Sequence, residues 1–469
     1  MHENSFKSIV LAALALALAP ALSQAYEAGV ESDNAPVAAT TPALIPMTAQ
    51  VTAKLPTLDN RLQKTDRLLK NLSDNSDPLR EADVWGRIRS GYAIPDINNQ
   101  LVANHVNWYA TRPDYIARTT ARASRYIFHV VQELEKRGMP TELALLPFIE
   151  SAFNPQAFSS ANAAGMWQFV PATGRDFNLK QNMFKDERRG VLASTDAALT
   201  YLQRLYDMFG DWQLALAAYN WGEGSVQRAI KKNQALGKPT DFESLADLMP
   251  AETRNYVPKL QAVKNIIANP AQFGLTLPVV DNQPYFTAID KTSDIDITVA
   301  AQLAELSMDE FKALNPQFNR PVIIGGEKTK ILLPQENAAK FTTNLAQWGH
   351  ALSSWTTHKI TNARERIETL ASKFGTTADV LRQANNIPQR TSLRAGSTIL
   401  VPKTSATMNN DITQEIADSA TMLLEADRPE RAAKALRRAA KGGKVQAAPI
   451  SLVKPRIQRG GNHRAKARH

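Results

Sequence analysis

Apolar positions from Leu58 to about Pro270 recur at three- and four-residue spacing, which predicts amphipathic helices around a shared core. Tyr126, Ile127, Val130, Val131 and Leu134 form one such stripe, closed by Gly138 and Pro140. Past Gly274 the pattern changes. The β-branched runs Asp296-Ile297-Thr298-Val299 and Ile331-Leu332-Leu333-Pro334 bracket two helix-like segments, Ala300 to Leu306 and Met308 to Leu314. The same β-α-α-β order returns after Trp355. There His358-Lys359-Ile360 opens, Ile367 to Phe374 and Thr377 to Asn385 are helical, and Ser397-Thr398-Ile399-Leu400-Val401-Pro402 closes. Two such modules in tandem, each ~45 to 50 residues long, are an internal repeat. The predicted fold class is therefore mainly α: a helical domain followed by small α+β (βααβ) modules.

The ends of the chain read differently. Lys7 precedes an apolar run from Ile9 to Leu22, and Ser23-Gln24-Ala25 has the small-x-small pattern of a cleavage site, which together predict a secretory signal peptide. The run is short for a membrane-spanning helix, and an uncleaved anchor is the alternative. Pro36, Pro42, Pro46 and Pro56 among Ala, Thr and Ser predict a linker. The expected organisation is a leader at 1–25, the linker at 26–56, a helical domain at 57–275 with its core at 125–235, modules at 285–335 and 357–403, and a basic, largely disordered tail at 404–469. Within that tail one amphipathic stretch, Ile412 to Ala440, precedes a Gly-, Pro- and Arg-rich end.

Composition narrows the function classes. The length of 469 residues predicts two to four domains at ~150 residues each. With 43% apolar and 21% charged residues, neither a wholly disordered chain nor a multispan membrane protein fits. The absence of cysteine excludes disulfides, thiolate zinc sites, cysteine nucleophiles and a lipid attached through cysteine. An export signal without cysteine suggests a bacterial envelope and a periplasmic location. The net charge of +10 is concentrated at one end: from Arg428 to His469 thirteen Lys/Arg face the single acid Glu430, leaving −2 for the preceding 427 residues. That distribution gives no support for a nucleic-acid surface. It suits contact between the tail and an anionic envelope surface, with a solvated end lacking any partner as the alternative.

Candidate chemistry is densest from Pro140 to Gly224. Glu150 ends a strongly apolar run, Leu143 to Phe153, just after Pro147, a residue that must break or kink a helix. Desolvation by Phe148, Ile149 and Phe153 would raise its pKa, the condition a general acid needs near neutral pH. A helix-end glutamate turned to water or bonded to backbone amides is the competing reading. Downstream lie Gly165-Met166-Trp167-Gln168-Phe169 and Ala217-Ala218-Tyr219-Asn220-Trp221-Gly222-Glu223-Gly224, with Trp212 between them. Rings stack on sugar faces, and amides supply fixed donors and acceptors for hydroxyl and N-acetyl groups, so a carbohydrate groove is suggested. Packing in the core of a helical bundle is the alternative, and it is favoured for Trp212. The seven histidines contain no close pair with ligand spacing, and no phosphate or calcium loop occurs, so neither a metal nor a cofactor is expected.

Four segments in order, ALLPFIESAFNP, AAGMWQFVPATGR, FGDWQLALAAYNWGEGSV and AETRNYVPKLQAVKNIIANP, resemble the soluble lytic transglycosylase superfamily with the goose-type lysozyme fold, and within it the D-type branch. The resemblance covers roughly residues 80 to 290 and implies a lysozyme-like catalytic domain. It implies that Glu150 is the only catalytic acid/base and that Ser151 helps to set the active-site hydrogen bonds. Gln168, Tyr219, Asn220 and Tyr256 match substrate-contacting or orienting positions. Trp167 stands where the superfamily usually has methionine, and the missing cysteine puts the family's lipid anchoring in doubt.

The second small module resembles LysM domains through Gly375-Thr376-Thr377, Asn385-Asn386-Ile387 and Gly396, the first through Leu314-Asn315-Pro316. This resemblance implies binding of N-acetylglucosamine-containing glycan, with a packing domain that lacks a ligand as the competing reading for each. The implied partner is the peptidoglycan glycan strand.

The implied reaction needs one carboxylate where an ordinary glycosidase needs two. Glu150 would protonate the β-1,4 oxygen between N-acetylmuramic acid and N-acetylglucosamine, then deprotonate the muramyl 6-hydroxyl as a 1,6-anhydro ring closes. A hydrolytic muramidase remains open, with Asp176, Asp186, Asp196, Asp211 or Glu223 as second acid. A catalytically silent glycan-binding scaffold is the alternative from another class.

Overall fold

The computed structural model describes residues 83–426 apart from 327–328 and 363–364. The leader, the linker, the start of the helical stretch and the tail from Arg428 lie outside the described residues. The helical body opens with α1 (Val84–Ser90), capped by the Asp83 carboxylate accepting from the Trp85 amide. It continues through α2 (Gln100–Ala110), α3 (Pro113–Ala123) and α4 (Ile127–Lys136). In α4 the expected stripe is the buried face, and Gly138 ends the turn at φ 63°. A 3₁₀ turn (Thr141–Leu145), α5 (Leu146–Ser151) and α6 (Pro171–Asp176) lead to the long α7 (Val191–Phe209).

At the centre of the body is α8 (Trp212–Trp221), whose Trp212, Leu214, Ala215, Leu216, Ala217 and Ala218 are all buried. A helix apolar around most of its circumference must be covered on several sides. Here α7, α9 (Glu223–Ala235) and α11 (Ala251–Ala268) cover it, while the short α10 (Phe242–Leu245) closes one end. The core extends well beyond the expected 125–235. It begins at Val84, runs to Val280, and takes in Leu314 and Leu332 from the first small module.

In that module β1 (Phe286–Asp290) pairs antiparallel with β4 (Lys330–Pro334), and the short β2 (Ile295–Asp296) with β3 (Val322–Ile323). The expected strand Asp296 to Val299 is corrected: α12 (Ile297–Leu303) begins at Ile297. The β-branched residues are overruled because Ile297, Ala300, Ala301 and Leu303 then share one buried helical face. The pairing strand β1 is mostly exposed and carries little apolar signal. Next come α13 (Met308–Leu314) and, after β4, α14 (Gln335–Ala346).

The second module pairs β5 (Trp355–Lys359), which starts three residues before the expected His358, with β7 (Thr398–Pro402). Between them lie α15 (Ile367–Lys373), α16 (Ala378–Asn385) and β6 (Thr391–Leu393). One buried asparagine clamps each module. Asn315 Nδ2 donates to the carbonyls of Phe311 (3.0 Å) and Leu332 (2.8 Å), and its Oδ1 accepts from the Leu332 amide at 2.8 Å. Asn385 repeats the pattern with Leu381 (2.9 Å) and the Leu400 carbonyl (2.8 Å) and amide (2.7 Å). The two modules are thus copies of one frame.

Residues 404–426 differ from the disordered tail expected there. They contain α17 (Gln414–Ser419) and β8 (Leu424–Ala426), which pairs with β6, so the amphipathic stretch from Ile412 is not one helix. Ile412 and Ala417 are buried at the junction of the modules with the helical body, which is what orders this segment.

Candidate active site

Pro147 does not interrupt a helix. It occupies the first turn of α5, where its missing N–H costs nothing, and the 3₁₀ turn before it ends at Leu145. α5 is six residues long and stops because Ala152 (φ 49°) and Phe153 (φ 55°) both adopt left-handed backbone. Non-glycine residues there are strained by about 1–3 kcal/mol each. The surroundings hold them: the Phe153 amide donates to the Pro147 carbonyl (2.9 Å), Arg122 Nε donates to the Ala152 carbonyl (2.9 Å), and the Phe153 ring packs edge-on against Phe148. The sharp turn leaves Glu150 and Ser151 at the end of a helix, inside the body.

Glu150 is only 3% exposed. Burial is the main cause that pushes its carboxyl up to about 7, with the charge of Glu252 adding to it. The Tyr256 hydroxyl donates to Oε1 and pulls in the opposite direction, as does the Lys259 ammonium. A carboxyl held there can donate and accept a proton at neutral pH. Glu252, Tyr256 and Lys259 recur at i, i+4 and i+7 on α11, so one helical face supplies all three influences. Sequence reading singled out only Tyr256. The spacing was the signal that could have found Glu252 and Lys259.

The other expected residues converge from two directions. Ser151 Oγ donates to the Met166 carbonyl at 3.0 Å, tying α5 to the turn that carries Gln168. Gln168 is itself left-handed (φ 50°); its Nε2 donates to the Gly165 carbonyl at 2.8 Å, while its buried Oε1 accepts from no described residue. A buried acceptor without a partner is costly unless a ligand supplies the donor. Gly165 must be glycine, because at φ 85° a Cβ would run into the Arg188 backbone. From α8, the Tyr219 hydroxyl donates to the Trp167 carbonyl at 2.8 Å, and burial, with the charge of Glu150 adding to it, raises that phenol's pKa. Asn220 Nδ2 donates to Glu252 Oε1 (3.2 Å) and its Oδ1 accepts from Thr253 (2.7 Å), so α11 fixes its orientation.

Comparison with known proteins matches three stretches of the chain to described families. Residues 130–242 match the Transglycosylase SLT domain, 285–349 the "Lytic transglycosylase MltD, LysM-like domain", and 365–402 the LysM domain. Membrane-bound lytic murein transglycosylase D of Escherichia coli (strain K12) is 34% identical over 341 residues, covering 70% of this chain and 75% of that one. The chain belongs to this family. It is a peptidoglycan-cleaving lytic transglycosylase with a lysozyme-like helical domain and LysM modules. Membrane-bound lytic murein transglycosylase C of Yersinia enterocolitica is 30% identical over 220 residues, covering 41% of this chain and 60% of that one.

Two tryptophan side chains expected near the site serve packing in the transglycosylase instead. Trp167 is fully buried, its Nε1 donating to Thr195 Oγ1 at 3.1 Å. Trp212 stacks on Tyr206 with ring centres 4.3 Å apart, so both tryptophans pack the core. Four of the five rival acids are engaged with partners other than Glu150. Asp186 pairs with Arg188 (2.6 Å), Asp196 with Arg137 (2.6 Å), Asp211 caps α8, and Glu223 accepts from the Tyr201 hydroxyl (2.9 Å). Asp176 ends α6. The acid whose charge reaches Glu150 is Glu252. Among the described residues no cluster of His, Asp or Glu could hold a metal ion, and no helix is long and apolar enough to cross a membrane.

Proposed function

We propose that the transglycosylase cuts the β-1,4 bond between N-acetylmuramic acid and N-acetylglucosamine with Glu150 as acid and then base, leaving 1,6-anhydromuramic ends. The observation that carries this reading is a buried carboxyl held at about 7 by desolvation and bonded by the Tyr256 hydroxyl. Protonated Glu150 gives its proton to the glycosidic oxygen, which leaves with the bonding electrons. The muramyl 6-oxygen then bonds to the anomeric carbon as its proton passes to Glu150, which restores the starting state without consuming water. The nucleophile is tethered to the reacting sugar, and intramolecularity of this kind lowers a barrier by several kcal/mol.

Ser151 and Gln168 shape one side of the site, Gln168 Oε1 accepting from a sugar hydroxyl or N-acetyl amide. Tyr219 and Asn220 orient the opposite side. Glu252, held by Asn220, keeps Glu150 protonated rather than activating water. The setting is the periplasm of a bacterial envelope, where the basic tail meets anionic polymers or lipid headgroups. Mass analysis of the muropeptides released from sacculi tests the reaction: anhydro ends are expected. A second reading, hydrolysis, is favoured by the nearness of Glu252 alone, and reducing ends would establish it.

A further inference from the structure

The two LysM copies share a clamp but send the loop that follows it to different places. In the second copy that loop reaches solvent: Pro388, Gln389 and Arg390 are exposed. In the first copy the corresponding loop lies against the catalytic body. The Gln317 carbonyl accepts from the Asp186 amide at 2.8 Å, the Asn319 amide donates to the Phe184 carbonyl at 2.7 Å, and Phe318 bridges to Lys185. Asn319 Nδ2 also donates to the Asn182 carbonyl at 3.3 Å, and its Oδ1 accepts from Arg189.

The helix before the loop is docked as well. Glu310 takes a two-pronged ion pair from Arg125 at 2.7 to 3.1 Å and a hydrogen bond from Tyr285 at 2.8 Å, and the Tyr126 hydroxyl donates to the Ala313 carbonyl at 2.8 Å. Apolar contact continues the same surface, since Leu314 and Leu332 belong to the core of the catalytic body rather than to that of their own module. Planar bidentate pairing and backbone-to-backbone bonds fix a geometry in a way that a flexible tether does not.

Segment 180–189 of the body also receives the region after the second module. Lys180 pairs with Asp418 at 2.7 Å, Asn182 donates to Asp418 at 3.0 Å, and Phe184 packs with Val322, Leu400 and Ile412. Inside the body, Arg188 anchors the segment through Asp186 and the carbonyls of Asn162 (2.6 Å) and Phe169 (3.1 Å), beside Gln168.

We infer that the first LysM copy is an intramolecular adaptor, its post-clamp loop committed to segment 182–189 of the catalytic body, and that glycan capture by the tandem falls to the second copy. This rests on the glycan-binding reading of the LysM modules. The ligand of the second copy is a glycan containing N-acetylglucosamine, and the adaptor holds that copy in a fixed position relative to Glu150.

Amide hydrogen exchange on the full chain carrying Glu150→Gln, which blocks turnover, tests the assignment with an oligomer of N-acetylglucosamine as probe. Without the oligomer, the Asp186 and Asn319 amides, which bond across the dock, exchange as slowly as the buried helices; fast exchange of both would show that the dock does not form. With the oligomer at ten times its Kd, amides in 358–403 slow by about tenfold while those in 285–334 are unchanged. Slowing in 285–334 overturns the adaptor role, and no slowing in 358–403 overturns capture by the second copy. Exchange at 148–168 is read separately, so a failure of the active-site reading is told apart from a failure of this one.

Discussion

Removing the Tyr256 hydroxyl probes how Glu150 is tuned. In Tyr256→Phe the ring remains to fill its buried place, while the hydroxyl that donates to the Glu150 carboxylate is lost. A hydrogen bond to a charged group contributes about 1.5–3 kcal/mol. Since 1.36 kcal/mol corresponds to one pH unit, the Glu150 pKa should rise from about 7 by roughly one to two pH units. The sign follows from the proposed mechanism: its first step needs protonated Glu150 in the free enzyme, so kcat/KM should be retained below that pKa and lost as pH rises through it. The variant should therefore keep activity further into the alkaline range, even if its maximum falls through poorer substrate orientation. The assay is the pH profile of kcat/KM on soluble glycan strands. An alkaline limb that stays in place or moves to lower pH would refute the view that this hydroxyl stabilises the charged carboxylate.

Four further outcomes are expected. Glu150→Gln should abolish turnover while raising stability at neutral pH: the wild-type carboxyl, ordinarily near 4.5 and about 7 when folded, loses up to about 3 kcal/mol as pH rises between those values, and the amide does not; urea denaturation at pH 4 and pH 8 reads the difference. Glu252→Gln removes a like charge and should move the alkaline limb of the kcat/KM profile to lower pH without abolishing cleavage, whereas complete loss of cleavage would make Glu252 a second catalytic acid. Arg188→Ala leaves Asp186 and two carbonyls buried without their partner and should cost roughly 3–5 kcal/mol by denaturation. Deleting 428–469 should weaken co-sedimentation with sacculi and anionic vesicles at low salt, each lost cation counting for about 1 kcal/mol near the surface, with turnover on soluble glycan unchanged.

The residues gathered around Glu150 were legible as candidates because they sit in short segments with unusual content: a carboxylate inside an apolar run, amides next to aromatics, and a tyrosine before valine and proline. Glu252 and Lys259 were missed because their residue types suit a solvent-facing surface, and only their helical spacing from Tyr256 marks them as sharing its face. Burial of Trp167 was equally invisible, because a tryptophan suits a core as well as a sugar groove and only the Thr195 partner distinguishes them. The strand expected at Asp296 to Val299 failed where β-branched propensity competed with helical burial spacing. Residues 404–426 read as tail because their order comes from long-range contacts, Ile412 and Ala417 on the module junction and β8 on β6.

Digestion of sacculi in heavy-oxygen water, followed by mass analysis of the released muropeptides, tests the central claim most directly. If Glu150 alone serves as acid and base and the 6-hydroxyl is the nucleophile, the new ends are anhydromuramic and carry no oxygen from the solvent. New reducing ends bearing heavy oxygen would show that water is the nucleophile and would contradict the single-carboxylate mechanism.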